Sequence, residues 1–91
     1  MRSLWDAEAS VRRQAAWALG QLEDARAVPL LTRTLADADV EVRTQSAWAL
    51  GQIADPSAAG SLAKALKDAS PAVRKQAAWA LGELKGLKEQ E

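Results

Sequence analysis

The stretch VRRQAAWALGQLEDARAVPLLTRTL, residues 11–35, decides the fold of this 91-residue chain because most of it recurs. Residues 11–41 and 42–72 are identical at 15 of 31 positions, and residues 73–84 match residues 11–22 at ten of twelve. A period of 20–50 residues is typical of solenoids, whose units each pack against their neighbours in the array. The sequence therefore predicts a stack of similar units with a 31-residue period.

Each unit is predicted to hold two helices, A and B. Helix A of the first unit spans residues 9–22, with apolar residues at i, i+4, i+7, i+8 and i+11 from Val11. Helix B spans residues 26–36, and Pro29 falls in its first turn, where proline costs no hydrogen bond. Asp39 is expected to cap the next helix A, and Ser70 followed by Pro71 the third. The residues expected to face the core are Val11, Ala15, Ala18, Leu19 and Leu22 of helix A, Val28, Leu31 and Leu35 of helix B, and Leu62 and Leu66 of the second helix B.

Composition excludes several kinds of function. The apolar residues are mostly Ala and Leu, and Phe and Tyr do not occur, which favours helices over sheet. The chain has no Cys and no His, so disulfides, thiolate nucleophiles, histidine acid–base catalysis and the usual zinc sites are excluded. We therefore expect no catalytic residue, no metal, no cofactor and no small-molecule substrate, that is, a protein that is not an enzyme.

Charge and hydropathy argue against nucleic acid and membranes as partners. Twelve basic and twelve acidic residues balance, whereas nucleic acid and anionic membranes require clustered positive charge. No apolar run approaches the roughly 20 residues of a membrane span, and the first residues lack the apolar stretch of a signal peptide. The expectation is a soluble, cytoplasmic protein whose partner is a protein, with no nucleic acid and no membrane.

The repeated pattern resembles the HEAT repeats, specifically the short HEAT-like class typified by phycobilisome-lyase repeats. This resemblance covers nearly the whole chain and implies an all-α fold: a short right-handed α-solenoid of antiparallel helix pairs. About five helices are expected, in the order A-B-A-B-A. The sequence is also similar to artificial HEAT-like scaffolds, which leaves an engineered origin open.

The predicted domain organisation is a single repeat domain, 1–91. Residues 1–10 are read as the remnant of a preceding repeat, 11–41 as repeat 1, 42–72 as repeat 2 and 73–91 as a partial repeat 3. Trp5 aligns with the end of helix B and is expected to fold over the first helix as a cap.

Three of the four tryptophans occupy one register position, at Trp17, Trp48 and Trp79. With about 100° per residue, Trp17 lies roughly 145° from the apolar centre of its helix. It shares that side with Gln14, Arg13 and Gln21. One interpretation is an exposed aromatic ladder, and the other is packing in the seam between adjacent A helices, over Ala47 or the stem of Gln45. The candidate interaction residues are Trp17, Trp48, Trp79, Arg13, Gln14, Gln45, Gln76, Gln21 and Gln52.

Two further series recur with the repeat. Arg12, Arg43 and Arg74 could form a basic row for phosphates, but aspartates repeat in step with them, which favours structural Arg–Asp pairs. Gly20, Gly51 and Gly82 lie in mid-helix, so close helix approach explains them better than a phosphate-binding loop does.

The function predicted from the sequence is a non-catalytic interaction or self-assembly module that presents a tryptophan-lined helical face. A homo-oligomer is expected, most simply a two-fold homodimer. One alternative is an engineered or truncated scaffold that binds a separate protein or peptide as a monomer. Another is a weak nucleic-acid-binding HEAT-like module.

Overall fold

The computed structural model describes the backbone of residues 8–89 and the side chains of residues 8–85. In this part of the chain the secondary structure is entirely helical, which confirms the all-α prediction. The five α-helices are α1 (Ala9–Leu22), α2 (Val28–Thr34), α3 (Val40–Ile53), α4 (Ala59–Ala65) and α5 (Pro71–Glu89). Short 3-10 turns, Ala25–Ala27 and Pro56–Ala58, lead into α2 and α4.

The helix boundaries follow from local chemistry. Asp39 caps α3 by accepting a hydrogen bond from the Val42 N–H at 2.9 Å, and the Ser70 hydroxyl accepts one from the Ala72 N–H at 3.2 Å. At the other ends, α1 and α3 stop where Glu23 and Ala54 adopt left-handed backbone conformations, with φ of 54° and 58°. Pro71 opens α5 as expected, because its missing N–H would have no helical partner there.

The helices form two layers. The A layer is a row in which α1 packs on α3 and α3 packs on α5. Each short B helix packs on the A helix that follows it, α2 on α3 and α4 on α5. The core lies between the layers, and its largest fully buried side chains include Leu31, Leu50, Leu62, Val42 and Val73.

Part of the predicted core is wrong, because some of its residues have no neighbouring helix to cover them. Leu22 was expected to face inward and is instead 71% exposed, and Ala18 is exposed as well. Their counterparts Leu84 and Ala80 are buried on α5, which packs against both α3 and α4. No described helix occupies the matching place beside α1, so the same residue types remain in solvent there.

Leu66, also expected inward, is 40% exposed. Its counterpart Leu35 is half-buried, because Leu35 lies in a groove whose other wall includes Ser61 and Ala65 of α4. No described B helix follows α4, so Leu66 has no such wall. The proposed remnant repeat, 1–10, and its Trp5 cap lie mainly outside the described residues, as does the end of partial repeat 3.

Candidate interaction site on the helix A face

Each tryptophan of α3 and α5 lies on a glycine of the preceding A helix. A Cβ placed on Gly20 would stand 2.6 Å from Cζ3 of Trp48 and 2.9 Å from Cα of Ala49. On Gly51, it would stand within overlap distance of Cζ3 of Trp79 and 2.9 Å from Cβ of Ala80. The indole edge therefore occupies the space of the missing side chain. This close approach confirms the packing interpretation of Gly20 and Gly51.

The three tryptophans differ in exposure because their surroundings differ. Trp17 is 51% exposed and Trp79 is 38% exposed, whereas Trp48 is half-buried between α1 and α5. Trp48 and Trp79 thus lie in the seam between A helices, each over a glycine of the preceding A helix. Both indoles still reach the outer face of the A layer in part.

Two surface grooves bring most of the candidate residues together. The first, of about 280 Å³, lies between α1 and α3 and is lined by Arg13, Gln14, Trp17, Glu41 and Gln45. The second, of about 290 Å³, is lined by Trp17, Thr44, Gln45, Trp48 and Gln76. Trp17 and Gln45 border both grooves and therefore lie at the centre of this surface. We call the surface formed by the residues that line the two grooves the tryptophan face.

Three candidate residues lie outside these grooves. Trp79 continues the row on α5, and Gln21 and Gln52 lie near the ends of α1 and α3, exposed and half-buried respectively. Sequence reasoning missed Glu41, which approaches Arg13 at 4.0 Å across the first groove. The helical i, i+4 relation to Gln45 was the available signal, because it places Glu41 one turn along the same face.

The arginine series forms clamps between the repeats. Arg12 donates from Nε and Nη2 to the carboxylate of Asp37 at 2.8 and 3.0 Å. Arg43 binds Asp68 in the same way at 2.9 and 3.2 Å, and it also donates to the carbonyl of Asp37. Paired in this way, these two guanidinium groups tie consecutive inter-repeat turns together, which confirms the structural interpretation of the series over a phosphate-binding row.

The clamp carboxylates are held in the ionised state. Partial burial acts to raise the pKa of Asp37, but hydrogen bonds from Arg12 and from the Asp39 N–H outweigh it and keep that pKa below its usual value. Burial likewise acts to raise the pKa of Asp68, and hydrogen bonds from the Ser70 N–H and from Arg43 lower it overall. The two carboxylates are thus structural groups of the turns between repeats.

Comparison with known proteins identifies the fold family. The sequence pattern of the HEAT repeats matches residues 35–90, and that of the HEAT-like repeat matches residues 9–53. The chain belongs to the HEAT-repeat family. HEAT repeats commonly mediate protein interactions, so an interaction or scaffold module is the function class that membership supports.

A solved structure of human deoxyhypusine hydroxylase in complex with glycerol is similar to this HEAT-repeat chain, with a TM-score of 0.87 and 32% sequence identity. The match covers 93% of the present chain but only 30% of that protein. No curated protein matches the chain.

This similarity corrects one expectation. The sequence predicts a protein that is not an enzyme, but a protein named as a hydroxylase carries the same repeat fold. Membership of the HEAT-repeat family therefore does not separate enzymes from binding modules, and the prediction that the chain is not an enzyme is wrong on this comparison.

The described residues offer neither a metal-binding cluster nor a membrane-spanning helix. Among them, no group of three or more Asp and Glu side chains is placed to hold a metal ion. None of the described helices combines the length and the apolar character needed to cross a membrane.

Proposed function

We propose that this HEAT-repeat chain is a protein-interaction module that associates with a second copy of itself, with Trp17 at the contact. The observation that carries the proposal is the 51% exposure of Trp17, which lies between two grooves, whereas its counterpart Trp48 on α3 is half-buried. Tryptophan is enriched among the residues that dominate binding energy at protein interfaces. An indole left in solvent at this position therefore favours a docking role.

The chemistry around Trp17 suits a second copy. Gln14, Gln45 and Gln76 supply amides that both donate and accept hydrogen bonds, so this surface can pair with donors and acceptors on another part of a second copy. Arg13 and Glu41 add one charge of each sign. A surface that balances donors with acceptors and positive with negative charge is suited to meeting a copy of its own chain. The clamped arginines argue against nucleic acid, because two of the three recurrent guanidinium groups already bind carboxylates.

The proposal is tested by sedimentation equilibrium over chain concentrations from about 10 µM to about 1 mM. The wild-type mass should rise above 9.7 kDa as concentration increases. Trp17→Gln should reduce the association constant by roughly tenfold or more, because a central interface tryptophan typically contributes at least about 2 kcal/mol. Leu30→Gln is the matched control, since Leu30 is a 38% exposed apolar residue on α2, outside both grooves.

A wild-type chain that stays at 9.7 kDa throughout would refute self-association. An equal loss of association in Trp17→Gln and Leu30→Gln would show that general surface hydrophobicity, and not the tryptophan face, drives the contact. A separate protein is the second candidate partner for this face. The two grooves favour it, because each has about the volume of one or two side chains.

A further inference from the structure

We infer that the outer flank of α5, where Ala78 and Gly82 are exposed, binds helix α1 of a second copy, so that chains associate head to tail. We call this alanine–glycine surface of an A helix the seat. This inference rests on the proposed self-association and deepens it by naming the two surfaces that meet. The expected two-fold arrangement would instead place the same surface of both copies in contact.

The seat is already used twice within the chain. On α1 it consists of Ala16 and Gly20, which are buried beneath α3, with Trp48 over the glycine. On α3 it consists of Ala47 and Gly51, which are buried beneath α5, with Trp79 over the glycine. At both internal junctions, the next A helix therefore packs on an alanine and a glycine at the same two register positions.

The third seat is open. On α5 the corresponding residues are Ala78 and Gly82, and both are exposed. A Cβ placed on Gly82 would meet no atom within 4 Å, whereas a Cβ on Gly20 would overlap Trp48. The described residues therefore leave vacant on α5 the space that an indole fills on α1 and α3.

Helix α1 carries the surface that fits this seat. At the internal junctions the incoming helix contributes a tryptophan and the alanine after it, Trp48 with Ala49 and Trp79 with Ala80. The same pair on α1 is Trp17 and Ala18, and both residues are exposed, although Ala49 and Ala80 are fully buried. Because α1 repeats the sequence of α3 and α5, a second copy of α1 offers α5 the contact that the chain already makes internally.

The clamp series gives an independent sign of the same register. Arg12 and Arg43 each bind an aspartate of the turn that ends their own repeat, whereas Arg74 donates to two backbone carbonyls and binds no carboxylate among the described residues. Among the described residues, the clamp is therefore incomplete on the same helix that carries the open seat.

A head-to-tail contact has a distinctive consequence for assembly. Each chain uses one surface at α1 and another at α5, so a pair of chains still has one free surface of each kind. Mass should therefore continue to rise past twice 9.7 kDa with increasing concentration. A two-fold contact would level off at the dimer.

The test pairs one variant blocked at each end. Gly82→Gln fills the seat on α5, and its Cβ would meet no described atom within 4 Å. Trp17→Gln removes the indole that would occupy the seat. Each variant alone should associate at least about tenfold more weakly than wild type, because one of the two surfaces that meet is overpacked or has lost its anchor. Their equimolar mixture should form a dimer and nothing larger, because one intact α1 then meets one intact seat.

Gly60→Ala is the control, because Gly60 is also an open helical glycine, but on α4. It should associate as wild type does. Wild-type-like association of Gly82→Gln, or a mixture that stays monomeric, would overturn the head-to-tail contact. In the first case, loss of association in Trp17→Gln would leave the proposed self-association standing. A monomeric wild-type chain would refute both proposals.

Discussion

At the scale of single residues, a buried pair of hydroxyl side chains distinguishes the two junctions between a B helix and the next A helix. Thr34 of α2 and Ser46 of α3 are 2% and 0% exposed, and their hydroxyl oxygens lie 2.6 Å apart. Each hydroxyl can also donate to a carbonyl of its own helix, Leu31 or Val42. At the equivalent junction between α4 and α5 the two positions are Ala65 and Ala77, both buried. The junction thus carries either a hydrogen-bonded pair or a small apolar pair.

We predict that Thr34→Ala and Ser46→Ala are coupled. Each single change should lower the free energy of unfolding by about 1 kcal/mol, because it removes one partner of a buried hydrogen bond. The double variant should lose less than the sum of the single changes, with a coupling of at least about 0.5 kcal/mol. Urea unfolding of the four proteins measures this coupling. Strict additivity would mean that the 2.6 Å contact contributes nothing of its own.

Tryptophan illustrates which residue-level features the sequence could predict. The helical angle correctly separated Trp17 from the apolar centre of its own helix. It could not show that Trp48 and Trp79 cover glycines on the preceding helix, because that contact depends on how adjacent A helices are offset. Gly20 and Gly51 were the signal, since a mid-helix glycine costs about 1 kcal/mol and the close tryptophan at each of them accounts for that cost.

At the scale of helices and turns, the boundaries were predictable and the buried faces less so. Helix α1 begins and ends where its apolar period indicated, Ala9–Leu22, because capping and turn residues act locally. The buried face depends on neighbours. Helix α3 is covered on several sides by α1, α2 and α5, whereas α1 packs mainly on α3. A single helical wheel therefore cannot describe both, although their sequences nearly coincide.

The clamps between turns predict a stability that depends on acid. The pKa values of Asp37 and Asp68 are lowered on folding. Their contribution is therefore fully present above the unfolded-state pKa of about 4, and it is lost as the pH falls through the lower folded-state values. The free energy of unfolding should fall steadily below about pH 4.

The double variant Asp37→Asn/Asp68→Asn tests that assignment. It should be less stable than wild type at pH 7, because Arg12 and Arg43 lose their ionised partners. It should also lose less stability than wild type between pH 5 and pH 2. Urea unfolding across that range measures both effects. Parallel pH profiles for the two proteins would contradict the role of the clamps.

At the scale of the whole molecule, the chain is a row of A helices joined by one contact repeated in register. Two junctions are formed among the described residues, which leave the same glycine position on the last helix open. The solenoid class follows from the 31-residue repeat alone. The sequence does not predict which seats are filled and which is open, because QAAWALG is identical in α1 and α5.

The most direct test of this account compares Gly20→Ala with Gly82→Ala in the free energy of unfolding, at concentrations where the chain is monomeric. Both changes add the same methyl group to the same register position. Gly82→Ala should stabilise by up to about 1 kcal/mol, because helix propensity improves and the added Cβ meets no described atom within 4 Å.

Gly20→Ala should destabilise by about 1–2 kcal/mol, since overlap with Trp48 and the Ala49 backbone outweighs the same gain in helix propensity. Opposite signs for the two variants are the predicted result. Stabilisation of similar size by both would contradict the seating of tryptophan on glycine, and with it the junction on which the array is built.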